Sequence, residues 1–204
     1  MGSDRPQTGK VIDPDNELMK RVARGDDEAF KLLFERNHRL AWSVIYRQLG
    51  HVAAAEDLVQ EAFLRVYRSA GDYQPTAKFS TWFYTVVTNL CLNYKRDRAR
   101  DRLRLVSSES DSEGGNPLEQ LAAVQDAEPT DDESAKRTAA VREAIMSLPE
   151  NQRMALVLSR YEEKSYEEIA EILGVTVAAV KSLTSRARST LKEKLQRFMD
   201  RLED

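Results

Sequence analysis

The sequence predicts an all-α protein in which two small helical domains are joined by a flexible acidic linker. Apolar residues recur at helical spacing in two separate segments, and no segment shows the alternation that is typical of a strand. Between these segments, residues 109–133 contain nine acidic residues and no basic residue, a composition that favours a linker. Near the C-terminus, residues 165–191 have the pattern of two helices joined by a tight turn.

The composition limits the possible classes of protein. The chain has 204 residues, enough for one domain or two small ones with modest cores. Cys91 is the only cysteine, and His38 and His51 are the only histidines, so we expect no disulfide within the chain, no structural zinc and no other cofactor. The longest uncharged apolar run, near residues 81–92, is shorter than the roughly 20 residues that cross a bilayer. We therefore expect a cytoplasmic protein without membrane insertion.

The first domain, residues 13–105, is predicted to contain four helices. Residues 1–12 are polar without an apolar period, and we expect them to be disordered. Asp13 is expected to cap the first helix, with Pro14 at its first position, where a missing N–H costs nothing. A longer second helix then runs at helical period to Gly50.

The third predicted helix, about residues 53–69, has two faces of different character. Apolar residues line one face, and the other face carries Asp57, Gln60, Glu61 and Leu64. An exposed leucine among carboxylates indicates a docking surface, or else a solvated face with one isolated apolar residue.

The fourth predicted helix is capped by Ser80 and joins aromatic residues to a basic tail. Residues 95–104 contain six basic and two acidic residues. Aromatic rings beside cations suit unpaired bases, although the spacing of Phe79 and Trp82 predicts that these two rings lie in the core. Asn89 and the arginines that follow it then remain available to contact DNA.

The linker is predicted to span residues 106–134, and the second domain residues 135–204. A helix over about residues 135–147 should end before Pro149, since proline and the residue before it disfavour a continuous helix. Another helix then leads to Tyr161 and the helix-turn-helix pattern.

The helix-turn-helix pattern predicts a DNA-reading element. Ser165 and Glu168 fit a capping box, Gly174 fits a left-handed turn, and Thr176 fits the cap of the second helix. The second helix turns apolar positions inward and leaves small polar residues beside lysine on the opposite face, which suits a major groove. Those residues are Ala178, Lys181, Ser182 and Ser185. The alternative is a surface helix hairpin with solvated charges.

Two other functions receive little support. The formal net charge of -3 argues against a protein that coats nucleic acid indiscriminately, because such binding comes mainly from phosphate neutralisation. Neither histidine stands near a nucleophile in a recognisable spacing, and there is no glycine-rich phosphate loop. We therefore expect no enzymatic activity and no catalytic residues.

Three motifs in order resemble the extracytoplasmic-function group of bacterial sigma factors, the small promoter-recognition subunits of RNA polymerase. Residues 55–68, AEDLVQEAFLRVYR, resemble the core-binding helix of region two, and residues 79–96, FSTWFYTVVTNLCLNYKR, resemble its promoter-melting helix. Residues 148–182, LPENQRMALVLSRYEEKSYEEIAEILGVTVAAVKS, resemble region four. A helix-turn-helix alone would be less specific, since many regulators carry one.

The resemblance implies a role for each candidate surface. Core polymerase would be bound through its clamp coiled coil by Asp57, Gln60, Glu61 and Leu64. The single-stranded -10 element would be bound by Tyr73, Lys78, Asn89, Asn93, Lys95, Arg96, Arg98 and Arg100. The duplex -35 element would be read by Thr176, Ala178, Lys181, Ser182, Ser185, Arg186 and Arg188. The second domain would also dock on the polymerase flap, and an anti-sigma factor is a further implied partner.

One segment departs from the family pattern. Relatives often continue the recognition helix as VKSRLHRAR, where this chain has VKSLTSRAR, so that Leu183, Thr184 and Ser185 replace arginine, leucine and histidine. Leu183 could touch a thymine methyl group or pack into the core beside Thr184, and the sequence alone does not distinguish these positions.

The leading hypothesis is thus a sigma factor that directs polymerase to promoters and helps melt the -10 element. The alternative is a helix-turn-helix regulator that reads only duplex DNA and uses its first domain for an effector or for dimerisation. Such a regulator does not need Asn89 beside a basic run, or an asymmetric face around Leu64. A pure adaptor protein would leave two basic segments unexplained, residues 95–104 and residues 181–197, the second of which contains six basic residues and one acidic residue.

Overall fold

The computed structural model describes residues 13–106 and 132–203, with side chains for 13–101 and 134–200. Within these ranges the chain forms α-helices and one short 3-10 helix, Ala70–Asp72, and no strand, which confirms the all-α prediction. The helices are α1 Pro14–Val22, α2 Asp27–Leu49, α3 Val52–Ser69, α4 Phe79–Val106, α5 Asp132–Met146, α6 Glu150–Arg160, α7 Tyr166–Leu173 and α8 Val177–Glu203. The predicted disorder of residues 1–12 and most of the predicted linker, residues 107–131, lie outside the described residues.

The N-terminal bundle, α1 to α4, begins with a carboxylate that serves two helices. Asp13 caps α1 as predicted, because its Oδ1 accepts the Asp15 N–H at 2.9 Å. Its Oδ2 accepts the N–H of Phe79, the first residue of α4, at 2.7 Å. The prediction that Ser80 caps α4 is therefore wrong: Ser80 lies inside the helix, and the acceptor comes from 66 residues earlier in the chain.

Side-chain packing between α2, α3 and α4 forms the centre of the N-terminal bundle. Phe83 lies 5.2 Å from Phe63 and 5.5 Å from Phe79 between ring centroids, and all three side chains are buried. Offset and tilted ring pairs of this kind add to the free energy gained by burying apolar area. The helix α2 ends where Gly50 adopts a left-handed conformation at φ 72°, which costs a glycine little.

The C-terminal bundle, α5 to α8, contains the predicted helix-turn-helix in α7 and α8. Ser165 and Glu168 form the predicted capping box, and Gly174 turns the chain at φ 64°. The Oγ1 of Thr176 accepts the N–H of Ala179 at 3.2 Å, so the predicted cap of α8 is also present. Val180, Thr184 and Ala187, which recur at helical spacing on the side of α8 away from the predicted DNA-reading face, are buried.

The two bundles pack directly against each other. Met154, Leu158 and Ile169 of the C-terminal bundle belong to the same apolar cluster as Ile45 and Phe83 of the N-terminal bundle. A second, smaller cluster around Ile145, Leu148, Leu156 and Ala187 lies within the C-terminal bundle. The main core therefore runs through both bundles instead of being divided into two separate cores. Across the described ranges, none of the helices has the length and apolar character needed to cross a bilayer.

Candidate nucleic-acid interface

The predicted DNA-reading face of α8 is open to solvent. The cap residue and the six predicted side chains of the helix are exposed; these are Thr176, Ala178, Lys181, Ser182, Ser185, Arg186 and Arg188. Positions three, four and seven residues apart lie on one side of a helix, so most of these side chains form one continuous surface. This surface combines small side chains, which allow close approach, with cations, and it faces away from the buried Val180 and Ala187.

The departure from the family pattern changes the packing of α8. Leu183 is partly buried and packs against the main core, as one of the two alternatives predicted. The buried Thr184 donates its hydroxyl to the Val180 carbonyl at 2.9 Å, which satisfies the hydroxyl within its own helix. In this chain Leu183 therefore packs inward, and the next, buried position of α8 holds a threonine whose hydroxyl is bonded within the helix.

A second exposed stripe runs along α4. Asn89, Asn93, Arg96 and Arg100 are all exposed, and their spacing of three or four residues places them on one side of the helix. Arg98 is also exposed, and its Nη1 donates to the hydroxyl of Tyr94 at 3.1 Å. This stripe presents amide groups, which can recognise base edges, beside guanidinium groups, which bind phosphates.

Tyr73 is held at one end of this helix. Its hydroxyl donates to Asn16 Oδ1 at 2.5 Å, and its ring meets Trp82 edge-on at 5.0 Å. Burial and the nearby Asp13 and Asp15 raise the pKa of Tyr73 to about 12, so the phenol remains neutral at physiological pH. The Tyr73 hydroxyl is therefore engaged within the protein, and Trp82, predicted to be core, is only partly buried.

Two of the predicted phosphate-binding lysines contact the C-terminal bundle. Lys95 lies 3.8 Å from Glu150, and its side chain is only 20% exposed. Burial, together with the positive charge of Arg153, lowers the pKa of Lys95, while Glu150 opposes this effect. Lys78 lies 3.8 Å from Glu168 in α7. Lys95 is therefore partly buried, whereas Lys78 remains exposed beside its partner, and the sequence pattern alone did not indicate either contact.

The predicted docking face of α3 is exposed as well. Asp57 and Gln60 are exposed, while Glu61 is partly buried and accepts from Arg65 Nε at 2.8 Å. Leu64 is 48% exposed, and Tyr67, three residues further along the same side, is 50% exposed. Leu64 is thus not an isolated apolar residue, because a second large side chain extends the same surface.

Some residues of these surfaces were not predicted. Phe34 lies at an apolar position of the helical period of α2, yet it is 37% exposed while its ring packs 4.7 Å from Phe63. Tyr67 could have been found, since it follows Phe63 by four residues and Leu64 by three. The buried position of Arg153 has no local signal, because one of its acceptors, the carbonyl of Gln48, lies 105 residues earlier in the chain.

Other reactive groups within the described ranges are few. Cys91 is fully buried, and burial raises the pKa of its thiol to about 12. Among residues 13–106 and 132–203 no group of three or more histidine, cysteine, aspartate or glutamate side chains is placed to hold a metal ion.

Comparison with known proteins identifies both bundles. Residues 33–101 match the model of sigma-70 region 2, and residues 138–191 match that of sigma-70 region 4. The first match covers the α3 face and the α4 stripe, and the second covers the helix-turn-helix. A regulator with an unrelated N-terminal bundle would not give the first match, so this comparison decides between the two functions that the sequence left open.

Relatives align along most of the chain. The RNA polymerase sigma-H factor of Pseudomonas aeruginosa is 33% identical over 184 residues, which cover 89% of this chain and 94% of that protein. The ECF RNA polymerase sigma factor SigW of Bacillus subtilis is 33% identical over 178 residues, which cover 87% of this chain and 95% of that protein.

The fold is also shared with a solved structure. The structure of CnrH in complex with the cytosolic domain of CnrY has a TM-score of 0.63 at 24% identity, and the match covers 90% of this chain and 98% of CnrH. This chain belongs to the extracytoplasmic-function sigma factors, the regulatory, non-enzymatic proteins that direct RNA polymerase to promoters for the initiation of transcription.

Proposed function

We propose that this sigma factor divides its work among three separate surfaces. The α3 face, with Asp57, Gln60, Glu61 and Leu64, binds the clamp coiled coil of the largest polymerase subunit. The single observation that carries this assignment is the exposure of Leu64 and Tyr67, 48% and 50%, because two large apolar side chains side by side in solvent favour burial by a partner. The neighbouring carboxylates would form the polar rim of that contact.

The α4 stripe binds the melted strand of the -10 element. Extruding a base from the duplex costs a few kcal/mol of stacking, so the receiving site must already be formed. Asn89 and Asn93 can accept and donate hydrogen bonds to the edge of such a base, while the cations of α4 hold the flanking phosphates. Tyr73 and Trp82 offer ring edges and faces near the beginning of the helix. Lys78 and Lys95 join this surface once their carboxylate partners have moved away.

The exposed face of α8 reads the -35 element as duplex. A helix of this kind fits the major groove, where Lys181 and the small residues Ala178, Ser182 and Ser185 reach base edges and phosphates. Thr176, Arg186 and Arg188 add phosphate contacts that fix the position of the helix. Leu183 packs inward in place of a cation, so the promoter sequence of relatives does not transfer to this chain.

We assign these surfaces to a domain of residues 13–105, a linker of residues 106–134 and a domain of residues 135–204. Within the polymerase the linker would separate the two DNA-binding domains, and the apolar side of the second domain would dock on the flap. CnrH was solved in complex with the cytosolic domain of CnrY, and we propose that this chain likewise binds a partner protein, in its case an anti-sigma factor. Such a protein acts in the cytoplasm.

The function is tested by transcription in vitro from sheared genomic DNA of the source organism. Purified core polymerase is used with and without this chain, and the 5′ ends of the transcripts are sequenced. We expect a defined set of start sites that appear only when the chain is present. Unchanged start sites would reject the proposed function.

A pair of variants tests the division between surfaces. Leu64→Asp should weaken attachment to core polymerase at least tenfold, because it places a charge in an apolar contact, and should leave binding of single-stranded -10 DNA unchanged. Asn89→Ala should have the opposite effect. Leu32→Asp is the matched control for Leu64, since Leu32 is 42% exposed on α2, and Asn151→Ala is the control for Asn89. If both test variants lose the same activity, the assignment of separate surfaces is wrong.

A further inference from the structure

A small cavity lies where the end of α2 meets one face of α5. Its volume is about 320 Å³, within the range of about 300 to 1,000 Å³ that is typical of small-molecule sites. The helix α2 contributes Tyr46, Arg47 and Gly50 to the lining. The facing wall comes from α5, where residues three or four positions apart, such as Val141 and Ile145, share one side of the helix. The cavity is therefore built from two helices that are far apart in the sequence.

One side of the cavity is formed by a methionine that packs against a glycine. A Cβ atom at Gly50 would come within 2.7 Å of Met146 Cε, so the left-handed glycine that ends α2 leaves room for the Met146 side chain. Met146 also lines the cavity. Because methionine is unbranched and has several rotatable bonds, it adapts to irregular shapes. The cavity therefore has one wall that can adjust to the shape of a ligand.

The walls of the cavity are largely apolar, and two of the apolar side chains remain in solvent. Tyr46 and Ile145 are buried, whereas Val141 of α5 is 39% exposed and Tyr161, just beyond the end of α6, is 40% exposed. Large apolar side chains that meet around a concave surface gain free energy when a ligand removes them from water. The cavity therefore favours a ligand with an apolar body.

The charged side chains of the cavity all have the same sign. Arg47 of α2 and Arg137 and Arg142 of α5 line it, and none of the described residues in the lining is acidic. Arg47 is held in place, because its Nη1 donates to the hydroxyl of Ser43 and its guanidinium carbon lies 4.3 Å from the centroid of the Tyr161 ring. Guanidinium groups match the two oxygens of a carboxylate. The charge of the lining therefore favours an anion.

A second cavity, between α5 and α8, lacks this combination. Its volume is about 620 Å³, but Lys194 and Arg197 line it together with Glu143 and Asp200. Charges of opposite sign within one lining offset each other, so this cavity has no preference for a charged ligand. Of the two cavities, the one at the end of α2 is therefore the candidate binding site.

We infer that the cavity at the end of α2 binds a small amphipathic carboxylate, a molecule with a compact hydrocarbon body and one carboxylate group. The body covers Val141 and Tyr161, and the carboxylate accepts hydrogen bonds from the arginines of the lining. A carboxylate has one charge to remove from water, whereas a phosphate ester has nearly two, so apolar walls favour the carboxylate. The site lies outside the α3 face, the α4 stripe and the α8 face, so the inference does not depend on the proposed function.

The first test measures binding of octanoate to the full-length wild-type protein by isothermal titration calorimetry. For a ligand of about ten non-hydrogen atoms we expect a Kd of about 0.1 to 1 mM. Octanamide, which has the same body without the charge, should bind about fivefold more weakly or worse, because hydrogen bonds to charged groups are stronger. Equal affinities for the two compounds, or the absence of saturable octanoate binding, would overturn the inference.

The second test locates the bound octanoate by NMR of methionine methyl groups labelled with carbon-13. Met146 lines the cavity, whereas Met199 of α8 lies outside it and is 40% exposed. Octanoate should shift the Met146 methyl resonance and leave that of Met199 in place. Detergent-like adsorption to exposed apolar side chains would shift both resonances, and that result would contradict the inference.

The third test reverses the charge of the lining. Arg137→Glu with Arg142→Glu changes the net charge of the lining from +3 to -1, so this variant should bind octylamine more tightly than octanoate. Lys136→Glu with Arg160→Glu is the matched control, because it makes the same change in charge at two exposed cations outside the cavity, and it should still prefer octanoate. The same preference in both variants would reject the site. The first two tests use the wild-type chain and so do not depend on the folding of either variant.

Discussion

Cys91 shows how one buried group in α4 makes stability depend on pH. Its pKa is raised to about 12 by burial, from an ordinary value of 9.0. In the folded protein the thiol therefore remains protonated over a pH range in which the unfolded chain loses that proton. The stabilisation that this provides is complete below pH 9 and is lost as pH rises from 9 toward 12, by about 1.4 kcal/mol per pH unit.

The prediction is measured by urea unfolding at pH 8.5, 9.5 and 10.5. The free energy of unfolding of the wild-type protein should fall with pH more steeply than that of Cys91→Ala, by about 1.4 kcal/mol per pH unit above pH 9. Tyr73, whose pKa is also raised, titrates in both proteins and cancels in the comparison. Parallel pH profiles would show that the thiol does not contribute.

For single residues, the sequence predicted whether a side chain is exposed to solvent, but it did not predict which distant side chain it contacts. The helical period correctly placed Asn89, Asn93 and Lys181 on open faces, because which side a residue occupies depends on its near neighbours. The same period gives no information on Lys95, whose partner Glu150 lies 55 residues later in the chain. Leu183 was undecided for a similar reason, since its packing depends on the space beside Thr184.

At the scale of helices, Asp13 joins the beginnings of two elements. Its two carboxylate oxygens accept separate N–H groups, one at the start of α1 and one at the start of α4. Asp26, in contrast, caps only α2, through the N–H of Ala29 at 3.0 Å. That hydrogen bond and the side chain of Arg21 lower the pKa of Asp26.

We therefore expect Asp13→Ala to destabilise the protein more than Asp26→Ala does. A lost cap costs about 1 kcal/mol, so Asp13→Ala, which removes two such contacts, should lower the free energy of unfolding by about 2 kcal/mol, and Asp26→Ala should lower it by less. Urea unfolding followed by circular dichroism measures both. Equal losses would mean that the contact between Asp13 and Phe79 adds nothing to stability.

The helix caps also show which contacts a local sequence pattern can predict and which it cannot. The caps of α1, α7 and α8 follow from residues that stand next to the helix, and the structure contains them as predicted. The cap of α4 was predicted at Ser80 and is supplied by Asp13 instead. Local chemistry cannot reveal an acceptor that the fold brings in from 66 residues away.

At the scale of the whole molecule, the buried Arg153 connects the bundles. Its guanidinium donates to the carbonyls of Gln48 in α2, Met146 in α5 and Leu148, at 2.6, 2.6 and 2.8 Å. These carbonyls lie at or just beyond helix ends, where backbone acceptors lack partners within the helix. The Arg153 side chain therefore donates hydrogen bonds to backbone carbonyls at helix ends in both bundles.

We expect wild-type protein to unfold in one calorimetric transition, because the main core is continuous. Arg153→Met fills similar space but leaves the three carbonyls without this donor, and because each buried acceptor without a partner costs about 1 to 3 kcal/mol, the change should cost at least about 3 kcal/mol. The C-terminal bundle should then unfold first, in a separate transition. Arg160→Met, an exposed position on the same helix, is the control and should keep one transition. A single transition for Arg153→Met would contradict the prediction.

The contact between the bundles was the part of the fold that the sequence did not predict. Amphipathic periods identify helices and their buried sides, and an acidic segment between two helical regions favours independent domains. Whether two such bundles then pack together depends on complementary surfaces, here around Tyr84 and Glu162. Neither residue is distinguishable in sequence from an ordinary core tyrosine or surface glutamate.

The Arg153 contact also has a consequence for the chain during its synthesis. The arginine follows Gln48 by 105 residues, and ribosomes add about 5 to 20 residues per second, so the end of α2 waits about 5 to 20 s for its donor. During that interval the nascent N-terminal bundle has no carboxylate partners for its lysines. Each newly made molecule therefore passes through a brief period, before translation ends, in which Lys78 and Lys95 still lack Glu168 and Glu150.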